Sequence, residues 1–447
     1  MYKHFAHHLV CSLCAVIFSA STALGQSGGQ SEQSDITQGD FSEELQVAEI
    51  SDLADFVVGI LSRHPELRSA EAARDEALAR ERQAGRPIYN PELEADYEDA
   101  VDETYAIGLS QTIDWAGKKD AAYAVSTSER YAADAVYVQE RNEIAAEILQ
   151  DLSDFWAAQD FHRLASTNKA LMSDFARQAG MRYQAGDIMR VEYETAQLAY
   201  AEARMRLAEA DAYTTGRANK LIAFGATVDP IGWPAMPTEL PEHVLSAPEI
   251  NAIVETLPQV RAAQARVEGA EAAVGLARAR KRPDPTIGIR AGEEDDESLI
   301  GVSFSIPLFV RNNFDDDVMA AISAKSKIEA DADTVTRLAR ADLTVSLLRF
   351  STMRDAWVDW EKVSSVSLNT QTKVLNRLWE ARELSMGEFL LQYRQTLEAQ
   401  RTAVELRQTL WESWIDFIRQ SNQVEHWLTT ASVVQTAEEL RGLSNEY

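Results

Sequence analysis

Two long stretches without proline constrain this chain more than any other feature of its sequence. None of the 12 prolines among the 447 residues falls between 92 and 229 or between 308 and 447. Because proline removes a backbone donor and clashes with the preceding turn, stretches of this length permit very long helices. The prolines between 230 and 258 instead predict a crossover linker, which we place at 224–248.

The chain also repeats itself at a nearly constant offset. Residues 64–70 match 257–263, and 107–113 match 300–306, so both pairs are 193 residues apart (257 − 64 and 300 − 107). Each half reads as an alanine-rich helix, a strand, an acidic turn, a second strand and a very long helix. We therefore expect repeats at 45–223 (strands about 91–99 and 105–113) and 249–430 (strands about 285–292 and 299–307).

Apolar and polar residues alternate along each predicted strand, which places them on opposite faces. In the first strand one face carries Leu93, Ala95 and Tyr97, and the other carries the acids Glu94, Asp96 and Glu98. Strands of about nine residues are long enough to cross an outer membrane when tilted. A soluble sheet packed on helices is the alternative interpretation. The small polar residues of the returning strands favour a wet lumen over it.

The long helical run from Lys118 to about Gln184 carries a seven-residue recurrence typical of a coiled-coil seam. Its two rows are Val138, Ala145 and Leu152, and Ile148 and Phe155.

Four strands per chain leave open edges, which lipid does not tolerate, so several chains must share one barrel. Two chains would fill the barrel with side chains, whereas three would leave room for a passage.

The charge and the ends of the chain exclude several classes of protein. Acids outnumber bases 71 to 43, and a net charge of −28 argues against a nucleic-acid partner. Residues 1–25 have the parts of a cleavable signal peptide, and their apolar run of about 10 residues is too short for a membrane helix. We expect 26–44 to be a flexible segment and 431–447 a C-terminal tail.

No catalytic, cofactor-binding or metal-ligating pattern emerges from the sequence. The histidines beyond the predicted signal peptide are far apart: His64, His162, His243 and His426. Both cysteines, Cys11 and Cys14, lie inside the signal peptide, so local spacing encodes no transition-metal site. Because nucleotide-binding and acyl-transfer motifs are also missing, we expect a protein that is not an enzyme and needs no cofactor.

The order of the motifs resembles that of the TolC-type outer-membrane efflux proteins, and within them the branch serving cobalt–zinc–cadmium and related heavy-metal pumps. The resemblance covers roughly residues 45–430 and rests on four segments: Asn90-Pro91-Glu92-Leu93, 111–119 (QTIDWAGKK), 282–288 (RPDPTIG) and 306–313 (IPLFVRNN). It implies a mainly α fold with a small membrane β-barrel. Three chains of four strands would form a homotrimeric 12-stranded barrel in outer-membrane lipid, continued by a long α-helical barrel in the periplasm.

The resemblance also implies a function and a set of partners. The trimer would be the passive exit duct of a tripartite efflux system, docked through a periplasmic adaptor (membrane fusion) protein onto an inner-membrane RND-type transporter. Heavy-metal cations would be its cargo. Three copies of Glu94, Asp96 and Glu98 would then ring the lumen with negative charge and favour cations. A merely solvated strand face accounts for these acids equally well.

The resemblance places the periplasmic tips at the turns of the two helical hairpins. The residues expected to contact the adaptor are Arg182, Tyr183, Gly186 and Asp187 in the first tip, and Trp379, Arg382, Glu383 and Leu384 in the second. Arg382 stands where the motif has glycine, which leaves the geometry of the second turn open.

Other functions remain compatible with the same pattern. The chain could serve as a duct for type I secretion or for drug efflux, or as a non-conducting trimeric coiled-coil surface stalk. Conductance in planar bilayers separates a duct from a stalk, since a stalk has no pore.

Overall fold

The computed structural model describes residues 53–99, 103–237, 247–294 and 297–429. All of them belong to one compact unit, Glu44–Tyr447. The predicted signal peptide, the segment 26–44 and the tail 431–447 lie outside the described residues, as do residues 238–246 of the crossover linker.

Most of the described chain is helical, and its elements follow the order that the repeat predicts. The shorter helices are α1 (53–61), α2 (Pro65–Ala84), α5 (Ala247–Thr256), α6 (Pro258–Arg280) and α9 (424–429). The longer helices are α3 (Lys118–Gln184), α4 (Arg190–Phe224), α7 (Asp315–Glu380) and α8 (Met386–Gln420). A single 3₁₀ turn, Pro230–Gly232, lies in the described part of the linker.

The long helices form two hairpins, α3 with α4 and α7 with α8. Helices α3 and α7 have 67 and 66 residues, and each returning helix has 35. At 1.5 Å per residue these lengths are about 100 Å and about 50 Å. A long helix is marginally stable alone and gains most of its stability by packing against other elements. Accordingly, α3 packs along its length against α2, α4, α6 and α8.

The seam predicted along α3 is largely buried inside the single chain. Ala145, Ile148, Leu152 and Phe155 are each at most 1% exposed, and they belong to the larger of two hydrophobic clusters. Val138 is 45% exposed in the single chain, so its place in the seam stays a prediction. The buried members of the larger cluster on α3 begin at Ile144.

The four strands form one antiparallel sheet in the order β1-β2-β3-β4. The strands are β1 (Glu92–Asp99), β2 (Glu103–Thr112), β3 (Thr286–Glu294) and β4 (Glu297–Ser305), and each limit lies within two residues of the expected one. Each hairpin pairs with itself, and β2 pairs with β3 across the two repeats. Strands β1 and β4 are the edges of the sheet.

Short polar contacts connect the sheet to the long helices. Asp114 follows β2, and its carboxylate accepts hydrogen bonds from the backbone amides of Lys118 and Lys119 at 3.0 and 2.7 Å. This contact satisfies two of the free amides at the start of α3. In the second repeat three aspartates, 315–317, occupy the first turn of α7, where the helix dipole favours negative charge.

Candidate functional site

The apolar face of the sheet is exposed across all four strands. One register row joins Leu93, Leu109, Ile289 and Val302, and the next joins Ala95, Ile107, Ala291 and Ile300. Val302 and Ile300 are 77% and 85% exposed. A sheet packed on helices would bury this face against them. The structure instead presents a continuous apolar surface to its surroundings, a feature that marks an interaction or membrane surface.

Aromatic residues flank this apolar band at both ends. Tyr97 and Tyr105 lie opposite one another at the end near the hairpin turns, with ring centroids 5.1 Å apart. Trp115 lies just beyond the other end, where its indole nitrogen donates a hydrogen bond to the Pro283 carbonyl at 2.6 Å. Aromatic girdles of this kind sit at the two interfaces of membrane sheets.

The acids predicted to line the lumen lie together on the opposite face. Glu94, Asp96 and Glu98 are all exposed, and they occupy successive register rows opposite Gly108, Ala106 and Thr104. One oxygen of Glu94 accepts a hydrogen bond from the Ser110 hydroxyl at 2.8 Å. The acid run at the second hairpin turn is described only in part, because 295–296 lie outside the described residues.

The first helical tip turns at Gly186. Its φ is +82°, the left-handed region that glycine adopts at little cost. The amide of Gly186 donates to the Tyr183 carbonyl, and the amide of Asp187 donates to the Arg182 carbonyl at 2.9 Å. These two bonds form the Schellman motif that ends many helices.

The second tip has the same turn although arginine replaces glycine. Arg382 has φ of +61°, its amide donates to the Trp379 carbonyl, and the Glu383 amide donates to the Leu378 carbonyl at 2.9 Å. A left-handed conformation costs a residue with a side chain roughly 1–2 kcal/mol. The second tip therefore keeps the turn of the first, but the backbone of Arg382 is strained.

Side chains of the two tips contact each other directly. The Arg182 guanidinium lies 4.2 Å above the Trp379 ring and donates to the Trp379 carbonyl at 3.2 Å. A nitrogen of Arg382 lies 3.7 Å from a carboxylate oxygen of Asp187. Four of the predicted tip residues thus join the two turns: Arg182, Asp187, Trp379 and Arg382. Trp379 is itself only 4% exposed, and Tyr183 and Gly186 lie in the first turn. Glu383 and Leu384 lie in the same second turn.

An aromatic cluster supports the tips from beneath. Phe175 of α3 stacks on Phe389 of α8 at 5.0 Å, and Trp379 packs against both rings. Trp379 also donates to the Gln178 side chain at 2.9 Å. Burial raises the pKa of the neighbouring Tyr393 hydroxyl to about 12. The tips therefore rest on a packed apolar base that joins both hairpins.

Sequence reasoning missed a buried contact that links the two repeats below the sheet. Asp284, which is 5% exposed, accepts hydrogen bonds from the Tyr89 hydroxyl at 2.7 Å and from the Lys118 ammonium at 2.8 Å. The hydrogen bond to Asp284 raises the pKa of Tyr89 to about 12. Tyr89 and Asp284 are 195 residues apart, and no local pattern signals their contact.

A second unpredicted network lies where α3, α4 and α8 meet. Asp154 accepts from Arg217 and from Gln408, both at 2.9 Å, and Asp151 accepts from Lys220 at 2.6 Å. The second carboxylate oxygen of Asp151 is buried and has no hydrogen-bond partner. Burial raises the pKa of Asp151, so its ionised form is held at a cost.

Within the described ranges, no three His, Cys, Asp or Glu side chains come close enough together to hold a metal ion. None of the helices in the described part of the chain is both long and apolar enough to cross a membrane.

No protein-family model matches the chain. Its sequence is similar to the cobalt-zinc-cadmium resistance protein CzcC of Cupriavidus metallidurans, with 28% identity over 283 residues that span 60% of this chain and 67% of that protein.

Solved structures of outer-membrane channels share the fold. The OprN channel matches with a TM-score of 0.71 at 16% identity, over 84% of this chain and 91% of its own. The CmeC channel of Campylobacter jejuni matches with a TM-score of 0.69 at 16% identity, over 94% and 98%. CusC matches with a TM-score of 0.61 at 16% identity, over 85% and 92%. These likenesses show that the chain has the fold of outer-membrane channels, and its sequence is similar to that of a heavy-metal resistance protein.

Proposed function

We propose that this chain forms the passive exit duct of a tripartite efflux system and conducts heavy-metal cations from the periplasm to the exterior. The observation that carries the proposal is the exposed apolar face of a four-stranded sheet that continues into two long helical hairpins. Lipid would cover the apolar face, and the opposite face, with its acids and small residues, would line water.

The edges of the sheet require further copies of the chain. Strands β1 and β4 each have one neighbour among the described residues, so each leaves a row of backbone groups unpaired. In lipid every such group costs several kcal/mol, and four strands cannot close on themselves. Three sheets of four strands give 12 strands, which enclose a passage. The proposed assembly is therefore a homotrimer.

The cargo and the partners are proposed on separate grounds. CzcC is a cobalt-zinc-cadmium resistance protein, and the acidic polar face of the sheet suits cations. The joined surface of the two tips is the proposed contact with a periplasmic adaptor, which would connect the duct to an inner-membrane RND-type transporter. Because the sequence has no nucleotide-binding motif, the energy for transport comes from that partner.

Membrane fractionation and bilayer recordings test the proposal together. The full-length chain, expressed in a Gram-negative host, is expected in the outer-membrane fraction as a detergent-resistant trimer. The purified trimer should conduct in planar bilayers. Deleting its gene should lower tolerance to cobalt, zinc or cadmium in its own host. A soluble monomer in the periplasm would refute the proposal, and a membrane-bound trimer without conductance would indicate a stalk.

A further inference from the structure

A single basic residue, Arg290, lies among the four strands of the sheet. The strand sequences contain no other lysine, arginine or histidine. Arg290 is exposed and pairs directly with Gly108 on one side and with Gly301 on the other. What it does depends on which face it occupies and on where its guanidinium lies.

The contacts around Gly108 place Arg290 on the same face as the acids. A Cβ atom built at Gly108 would lie 3.7 Å from the Cβ of Glu94 and 3.5 Å from the Cβ of Arg290. Both side chains therefore leave the sheet on the polar face, on either side of a glycine. The glycine leaves the space between them open.

The side chain of Arg290 extends away from Glu94 and across β4. A Cβ atom built at Gly301 would lie 2.9 Å from its Nε and 3.1 Å from its Cγ, so the arginine lies flat over this glycine. Glu94 instead accepts a hydrogen bond from the Ser110 hydroxyl of β2. In the described part of the chain Arg290 forms no ion pair, and its charge stays available to an ion in the passage.

The register gives the charge of each row on the polar face. The row of Glu92 carries −1, the row of Glu94 and Arg290 carries −1 + 1 = 0, and the row of Asp96 carries −1. The row nearest the hairpin turns carries at least −2, from Glu98 and Glu297. The acidic lining is thus interrupted by one neutral row, and Arg290 is the cause.

We propose that Arg290 is a selectivity-determining residue of the passage, one that weakens its preference for cations. This proposal rests on the proposed function, because it requires that three copies of the polar face enclose water. Three guanidinium groups at one level oppose the three Glu94 carboxylates there. A cation then meets a neutral row between acidic rows, and an anion finds charge-assisted hydrogen-bond donors at the same place.

The test compares purified full-length trimers in planar bilayers under a potassium chloride gradient at low ionic strength. Arg290→Gln should raise the ratio of potassium to chloride permeability by about twofold or more. That is the Boltzmann factor for one unit charge about 10 Å from an ion in water. Arg290→Lys keeps the charge and should keep the wild-type ratio. Arg68→Gln, an equal loss of charge on exposed α2, serves as the matched control.

A chemical variant tests the same point within one assembled channel. In Arg290→Cys channels already inserted in the bilayer, a methanethiosulfonate reagent bearing an ammonium group should return the permeability ratio toward the wild-type value. A reagent bearing a sulfonate group should raise the ratio further. Wild-type channels exposed to both reagents provide the baseline.

The outcomes separate this proposal from the one on which it rests. If the wild-type trimer does not conduct, the proposed function fails and the role of Arg290 falls with it. If the wild type conducts but Arg290→Gln and the modified cysteine channels keep the wild-type ratio, the role of Arg290 alone is overturned. A shift equal to that of Arg68→Gln would also overturn it, since it would report net charge rather than position.

Discussion

The exposed apolar face makes a sharp prediction about two adjacent residues of β4. Val302 lies in the apolar row with Ile289, and Ser303 lies on the polar face opposite Gly288. Val302→Lys places a charge in the hydrocarbon, whereas Ser303→Lys places the same charge in the lumen. A lysine on the lipid face near the bilayer midplane costs about 2–4 kcal/mol. Over three chains the cost of Val302→Lys is about 6–12 kcal/mol.

The assay is the folding of the purified chain into lipid vesicles, followed by the fraction of detergent-resistant trimer. Val302→Lys should lose most of its trimer and its protection from protease, while Ser303→Lys should assemble like the wild type. Equal assembly of the two variants would contradict the assignment of the two faces. A greater loss for Ser303→Lys would mean that the polar face is the packed one.

Four further predictions concern the acids of β1, the buried Asp284, the second tip and Asp151. Glu94, Asp96 and Glu98 changed together to Gln should lower the potassium-to-chloride permeability ratio, and unchanged reversal potentials would leave these acids without a role. Asp284→Ala should lower the free energy of unfolding by about 3–5 kcal/mol, because it leaves the Lys118 charge buried and unpaired. The exposed Asp120→Ala should cost under about 1 kcal/mol in the same denaturation series. Arg382→Gly should relieve the left-handed strain and slow hydrogen exchange at the second tip by a factor that corresponds to about 1 kcal/mol. Loss of the exposed ion pair with Asp187 offsets a small part of this gain. Burial raises the pKa of Asp151, so its protonated form stabilises the folded state below about pH 4, the ordinary pKa of aspartate. This stabilisation is lost as pH rises through the raised pKa of the folded state. Asp151→Asn should therefore flatten the fall in melting temperature above about pH 4, and the exposed Asp359→Asn should not.

The elements that the sequence predicted well are those with a short repeat. Alternation over 93–98 and 105–110 placed the acids and the apolar residues on opposite faces, because side chains in a strand have a period of two. The absence of proline and the seven-residue recurrence predicted a long helix from Lys118 to about Gln184, and α3 has these limits. Alternation and the absence of proline are both local patterns, so a single sequence is enough to detect them.

The features that could not be predicted depend on contacts between distant residues. Asp284 reads locally as part of a proline-rich turn, and only the pairing of β2 with β3 brings it to Tyr89 and Lys118. The left-handed Arg382 has no signal of its own, because its conformation is imposed by the helices that it joins. The direction of the Arg290 side chain depends likewise on a glycine in the neighbouring strand.

The pairing of β2 with β3 has a consequence for the order in which the molecule is built. Thr104 pairs with Glu294 and Thr112 with Thr286, so the partners are 190 and 174 residues apart (294 − 104 and 286 − 112). A growing chain completes the first helical hairpin long before the partner of β2 has been made. Loop closure over such distances is slow, and an unpaired strand edge attracts other strands. The first hairpin of strands must therefore wait, protected from its neighbours, while about two fifths of the polypeptide is still being synthesised.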